Sequence, residues 1–209
     1  MASNLGKVVE SAVQRQLSSH LDKLLPDSMF GFRKNRGTSD ALISVLDKIK
    51  GKLNSGQKVA VVALDASAAF DVLDHRLVIQ SLEILGAGPT LLKWLNDYFQ
   101  DRFSFVDING CRSTPWEVDV GAIQGGLISR DLFNVGSITQ GLWTRFTDST
   151  NFADDGLEVV SAENEKDCQF MAEEAAKNMS AWYDAVGLTL NAKKSEIISF
   201  GFDMKPFML

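Results

Sequence analysis

Cysteine and histidine are nearly missing from this 209-residue chain, which has two of each: Cys111, Cys168, His20 and His75. No Cys/His cluster at zinc spacing can be assembled from them, so neither a structural metal module nor a disulfide framework is indicated, and a reducing compartment fits best. There is no long apolar run, and no charged segment followed by an apolar stretch at the start, which argues against a membrane span and against secretion. Positive charge is also scarce: 21 Lys/Arg stand against 27 Asp/Glu, for a net charge of -6. As a single number that balance speaks against a nucleic-acid partner, but its distribution does not. Residues 1–57 hold nine basic against five acidic side chains, while residues 58–209 hold twelve against twenty-two. One end can meet phosphate while the other gathers cations, or the asymmetry is merely that of solvated faces.

The remaining composition, 45% hydrophobic, is that of an ordinary globule with a sizeable core. Apolar residues from Leu5 to Leu25 recur at three- and four-residue steps, so a helix runs until Pro26. A second helix follows Thr38-Ser39, with Leu42, Val45, Leu46, Ile49 and Leu53 on one stripe and Gly56 as its stop. VAVVAL (59–64) is a short β-branched run that reads as a buried strand ending at Asp65. Helices are predicted over about 75–86 and 89–101, a hairpin from Phe103 to Val120, a helix over about 127–146, and a long helix over about 164–186 with a core-facing stripe. EIISFGF reads as a closing strand.

The stretch NFADDGLEVV (151–160) sets two aspartates side by side between apolar residues. Asp155-Gly156 is a strong turn signal, so the pair is expected at a hairpin tip. It is either a solvated turn or half of a metal site, because like charges this close repel unless a cation lies between them. Asp65, at the exit of a predicted buried strand, is the complementary half: carboxylates from two strand ends are what a two-metal phosphoryl-transfer site requires. Phe70, five residues on, is a packing residue or a floor beneath a bound sugar.

LDASAAFDVLDH (64–75), GAIQGGLISRDLF (121–133), FADD (152–155) and GLTLNAKKSEIISF (187–200) occur in the order of the fingers and palm motifs of reverse transcriptases. With KVVESAVQRQL (7–17) and FGFRKNRGTSDAL (30–42) upstream, the chain resembles the polymerase domain of non-LTR (LINE-type) retrotransposons over roughly residues 5–202. The resemblance implies an α+β right-hand polymerase fold whose antiparallel palm sheet is backed by helices. Fingers would fall at about 1–57 and 89–119, palm at about 58–88 and 120–209, with the thumb absent. It implies RNA-directed DNA polymerase activity with magnesium, replaceable by manganese, on an RNA template, a DNA primer and deoxynucleoside triphosphates, inside the cell and away from membranes. Asp65, Asp154 and Asp155 would be the catalytic metal ligands, and Phe70 the steric gate against a ribose 2′-hydroxyl. Gln124 and Gly125 would line the incoming nucleotide, Lys194 would lie near its triphosphate, and Arg33, Lys34 and Arg36 would contact the template.

The chain departs from the family pattern at several positions. Ile123 and Gly126 stand where the family usually has proline and serine, Arg130 where a proline commonly follows, and Met29 where glutamine is usual. A truncated or domesticated remnant that only binds is therefore the alternative reading. A nucleotide cyclase on a palm-like fold is a third, but it would need no Phe70 gate, no Gln-Gly loop and no basic entry segment.

Overall fold

In the computed structural model, residues 4–67, 69–123, 125–144 and 147–205 are described. The elements run α1 (Asn4–Leu21), α2 (Thr38–Asn54), β1 (Lys58–Leu64), β2 (Ala66–Ser67), α3 (His75–Ile84), α4 (Pro89–Phe99), β3 (Phe103–Ser104), β4 (Asp107–Ile108), β5 (Cys111–Arg112) and β6 (Trp116–Glu117). They continue with α5 (Ser129–Ser137), α6 (Gln140–Trp143), β7 (Asp148–Phe152), β8 (Asp155–Ala162), α7 (Glu165–Ala185), β9 (Thr189–Leu190) and β10 (Glu196–Phe200). Local chemistry sets several of the ends. Asp40 Oδ2 accepts from the Gly37 amide at 2.7 Å, Asp74 Oδ1 from Arg76 N at 2.7 Å, and Asn164 Oδ1 from Asp167 N at 2.9 Å, each serving an amide at a helix start.

The main sheet has four antiparallel strands in the order β10-β1-β8-β7. Alternation along β1 explains its continuous apolar run. Ala60, Val62 and Leu64 face α7 and pack on Cys168, Ala172, Ala175, Ala176, Met179 and Tyr183, while Val59 and Val61 face α2 and pack on Val45 and Ile49. Three alanines in α7 let that helix lie close against the strands. Helices therefore cover both faces of the sheet. A separate core joins Leu17 and Leu21 of α1 to Val78 and Leu82 of α3, Leu95 of α4 and Leu132 of α5.

Three sequence expectations change. The helix expected over 127–146 is broken into α5 and α6; Gly136, Ser137 and Thr139 are weak helix formers, and Gly136 lets α5 sit against Leu73, whose Cδ1 would lie 2.6 Å from an added Cβ. The stripe on α2 is narrower than its periodicity implies. Ala41, Val45 and Ile49 are buried, whereas Leu42, Leu46 and Leu53 are exposed. Likewise Leu5, Val8 and Val9 of α1 are exposed, and its fully buried apolar residues begin at Leu17.

The hairpin is also shifted. Phe152 pairs with Asp155, so Ala153 and Asp154 form the turn; Ala153 carries the positive φ of 56°. Gly156 lies inside β8, paired with Asn151 and Leu64. Its lack of a side chain is spent on packing: an added Cβ would meet Met179 Cε at 2.7 Å and Gln140 Nε2 at 3.1 Å. Among the described residues no helix is long and apolar enough to cross a membrane.

Candidate functional site

Strand register brings the three aspartates to one end of the sheet. Leu64 is opposite Gly156, so one residue further along each strand the chain reaches Asp65 on one side and Asp155 on the other, with Asp154 in the turn beside it. The Asp155 carboxyl is pushed above the usual range, first by burial, then by the charges of Asp154 and Asp65, with Lys194 opposing. Lys194 Nζ lies 3.9 Å from Asp65 Oδ2, and its side chain is largely exposed. Among the described residues no three His, Cys, Asp or Glu side chains close into a metal-binding group by themselves. The carboxylates form an open acidic rim rather than an all-protein cage.

The backbone beneath Asp65 is tightly held. The buried Tyr183 hydroxyl donates to Leu64 O at 3.1 Å, Asn191 N donates to Asp65 O at 2.8 Å, and Asp65 N donates to Ser195 Oγ at 3.3 Å. Burial, then the charges of the three aspartates, push the Tyr183 phenol upward. The turn at 191–194 is itself closed by Lys194 N on Asn191 O at 3.0 Å, which is how Lys194 comes to stand over Asp65.

Phe70 is half-buried. Its ring stacks on Phe133 with centroids 4.4 Å apart and meets Phe32 edge-on at 5.7 Å. Packing fixes its place, and one side faces a cleft of about 530 Å³ that it lines with Asp154, Ile123, Gly125, Gly126, Ser129 and Arg130. The loop on the far wall is zipped to the Phe70 turn by Ala122 N on Phe70 O at 2.6 Å and Gly121 N on Leu73 O at 2.8 Å. Gly121, at φ +92°, comes so close that an added Cβ would lie 2.7 Å from Asp71 O.

That loop is propped from a direction the sequence motifs do not mention. Glu10 of α1, 3% exposed, accepts Leu127 N at 2.7 Å and the Tyr98 hydroxyl at 3.3 Å. At Gly126 an added Cβ would stand 2.7 Å from Ser129 Oγ, which donates to Ile123 O, and 3.0 Å from the Tyr98 hydroxyl. The serine usual in the family does not fit this loop without movement; the glycine is matched to its own neighbours. Gln124 lies outside the described residues.

The basic segment sits beside the aspartate turn. Phe30 N donates to Asn151 O at 2.8 Å, Asn151 N donates to Ser28 O at 2.8 Å, and Asn134 Nδ2 donates to Gly31 O at 3.0 Å, so residues 28–31 cover the open edge of β7. Gly31 is the point of closest approach, where an added Cβ would fall 2.2 Å from Ala153 N. Its three cations are not equivalent. Arg33, expected on the template, turns inward: its side chain is 6% exposed and donates to Asp22 Oδ1 and to the carbonyls of Asp22, Leu25, Pro26 and Met29. Its guanidinium is committed to holding the turn after α1, and the expected direct template contact is corrected on that ground. Arg36 donates to Asp27 O at 2.6 Å and Asp27 Oδ1 at 2.5 Å and lies over the Phe30 ring. Lys34 is exposed and makes no ion pair among the described residues.

A strand-end carboxylate, a carboxylate hairpin and an aromatic-floored cleft on one antiparallel sheet define the palm of a polymerase. A family model described as reverse transcriptase (RNA-dependent DNA polymerase) matches residues 1–207, and the chain belongs to that family. It is 25% identical over 134 residues to the RNA-directed DNA polymerase from mobile element jockey of Drosophila funebris, a match covering 63% of this chain and 14% of that protein. To the jockey polymerase of Drosophila melanogaster it is 22% identical over 206 residues, covering 94% of this chain and 22% of the relative. The chain thus spans less than a quarter of the length of these curated relatives. Among solved structures, telomerase from Candida albicans in complex with a fragment of telomeric RNA superposes with a TM-score of 0.72 at 15% identity, over 94% of this chain and 35% of that one. That likeness establishes the fold. Reverse transcriptases generally use divalent metal ions, and the oxygen donors of the acidic rim suit them.

Proposed function

We propose that this chain is the fingers and palm of an RNA-directed DNA polymerase of the non-LTR retrotransposon type, which extends a DNA primer on an RNA template with deoxynucleoside triphosphates. The observation that carries the reading is the register that brings Asp65 and Asp155 to one end of the sheet, beside Asp154, which lines the Phe70 cleft. Magnesium is the ion that fits: it is commonly bound by one or two carboxylates together with substrate phosphates, so an open rim suits it better than a closed cage. Asp65, Asp154 and Asp155 would hold it, and when bound it supplies charge stabilisation for phosphoryl transfer.

The chain's own residues do the positioning. Phe70, clamped between Phe133 and Phe32, presents a rigid ring where a 2′-hydroxyl would clash. Gly125, without a side chain on the opposite wall, leaves room for a base, and Gln124 follows the same family role. Lys194, its Nζ 3.9 Å from Asp65 Oδ2 and its side chain largely exposed, would meet the triphosphate. Fingers at about 1–57 and 89–119 and palm at about 58–88 and 120–209 remain the proposed division, with α2 of the first segment packing on the palm sheet itself.

The test is extension of a DNA primer on an RNA template with magnesium, by this chain alone and by the chain fused to an upstream fingers strand and a thumb. Extension is expected with the wild type and lost on Asp65→Asn, and Phe70→Ala should still extend but accept ribonucleotides. In parallel, magnesium should raise the wild-type unfolding temperature, as an ion binding only the native site does, and Asp154→Asn should abolish the gain. Template binding without extension in either form would favour the binding-module reading.

A further inference from the structure

We propose that Arg130 anchors a phosphate of the template strand where that strand crosses the first turn of α5; this rests on the polymerase reading above. Arg130 is exposed, and it is the sole cation among the described residues lining the cleft shared by Phe70, Asp71 and Asp154. It makes no hydrogen bond or ion pair among the described residues. Its neighbour Asp131 feels its charge but makes no ion pair with it: that carboxyl is buried against α1, where Ser18 Oγ donates to it at 2.8 Å. Other arginines of the chain are engaged, Arg33 and Arg36 with loop carbonyls and carboxylates, Arg102 with Tyr98 and Arg112 with Asp107.

On the opposite flank of the same helical turn lies a second cavity, about 520 Å³, lined by Phe32, Lys34, Asp131 and Asn134. Arg15 and Arg33 line that cavity as well, but Arg33 is held by loop carbonyls and Arg15 donates to Ser11 O of its own helix, whereas Lys34 makes no hydrogen bond or ion pair among the described residues. The start of α5 thus separates two cavities, with Arg130 lining one and Lys34 the other, neither in an ion pair among the described residues. A polynucleotide passing from the Lys34 side over the start of α5 into the Phe70 cleft would bring phosphates past both cations. A planar guanidinium at the cleft edge also offsets the acidic wall of Asp71 and Asp154, which otherwise repels a phosphodiester backbone.

The incoming nucleotide offers the same phosphate chemistry, and the experiment separates the two sources. Binding of the full chain to a primed RNA bearing a single-stranded 5′ template extension, and to the same hybrid cut blunt, is followed by fluorescence anisotropy across a salt series. Arg130→Gln should weaken binding to the extended template about tenfold at low salt and make the log K against log salt slope shallower by about 0.7. Binding to the blunt hybrid should change little. Arg130→Lys should keep the slope, Arg130→Gln with Lys34→Gln should roughly double the loss, and Lys177→Gln, on the distant face of α7, should do nothing. An unchanged slope in Arg130→Gln, or an equal change on the blunt hybrid, overturns the assignment. Weaker deoxynucleoside triphosphate binding with an unaltered template slope also overturns it and gives the phosphate to the nucleotide. A wild type that binds neither nucleic acid fails the polymerase reading itself, and this inference with it.

Discussion

Arg33 and Lys34 are adjacent, both basic and both in the FGFRKNRG segment, yet the fold gives them opposite tasks. The Arg33 guanidinium collects four backbone carbonyls and the Asp22 carboxylate, and its side chain is almost hidden. Hydrogen bonds from a charged donor contribute about 1.5–3 kcal/mol each where the group is removed from water, and less where the acceptors remain half-solvated, as several do here. Arg33→Ala should therefore cost about 2–3 kcal/mol in a urea titration. Lys34→Ala, by contrast, should leave stability within about 0.5 kcal/mol and instead flatten the salt dependence of template binding. Equal stability losses in the two variants would show that the inward hydrogen bonds of Arg33 contribute nothing net.

At the scale of elements, the joint between the basic loop and the aspartate hairpin is the most constrained place in the chain. Ser28 and Phe30 extend the sheet past β7, and Gly31 then passes so near Ala153 that a methyl group would overlap its amide nitrogen. Backbone cannot yield as a flexible side chain can. Gly31→Ala should consequently push the loop off the hairpin, break the Asn134 to Gly31 hydrogen bond and cost more than about 2 kcal/mol, the upper part of the overpacking range. Hydrogen exchange should show the Phe30 and Asn151 amides losing protection before those of β1. Gly156→Ala is the contrasting case, because its nearest obstacle is the movable end of Met179. A Gly31→Ala protein as stable as wild type would mean that the loop and hairpin are not in contact in solution.

For the molecule as a whole, the sheet carries a proton-linked group far from its rim. Glu158 sits in the middle of β8 at 0% exposure; Thr147 and Ser149 donate to its Oε2, while its Oε1 has no hydrogen-bond partner among the described residues. Burial raises its pKa to about 7, against the lowering effects of the two hydroxyls and of Lys48. Because the folded pKa lies above the unfolded 4.5, the folded state holds the extra proton between those values. Its contribution is fully present below about pH 4.5, falls as pH rises, and is lost by about pH 7, a total of about 3 kcal/mol. Glu158→Gln should remove this slope, so the stability difference between variant and wild type should grow in the variant's favour from pH 4.5 to 7. Parallel stability curves for the two proteins would show that Glu158 does not change its protonation in that window.

Periodicity alone was enough for the order of elements, the buried β1 and the α7 stripe, because each is a repeat along the chain; that helices cover both faces of the sheet, and not one, only the packing of α2 decided. The order of the motifs was enough for the family. What the sequence could not carry was anything set by a neighbour distant in the chain. Asp155-Gly156 carries the local signature of a turn, but pairing with Leu64 and crowding by Met179 draw Gly156 into the strand and move the turn to Ala153-Asp154. The expected helix over 127–146 ignored the close approach of Gly136 to Leu73, and the apolar stripe of α2 promised more burial than the sheet had surface to provide. Arg33 and Lys34 look alike until carbonyls from four other residues surround one of them. Side-chain type and spacing determined which groups this chain has for its chemistry; the tertiary structure decided which of them are free to use it, since availability depends on partners that only folding brings within hydrogen-bond reach.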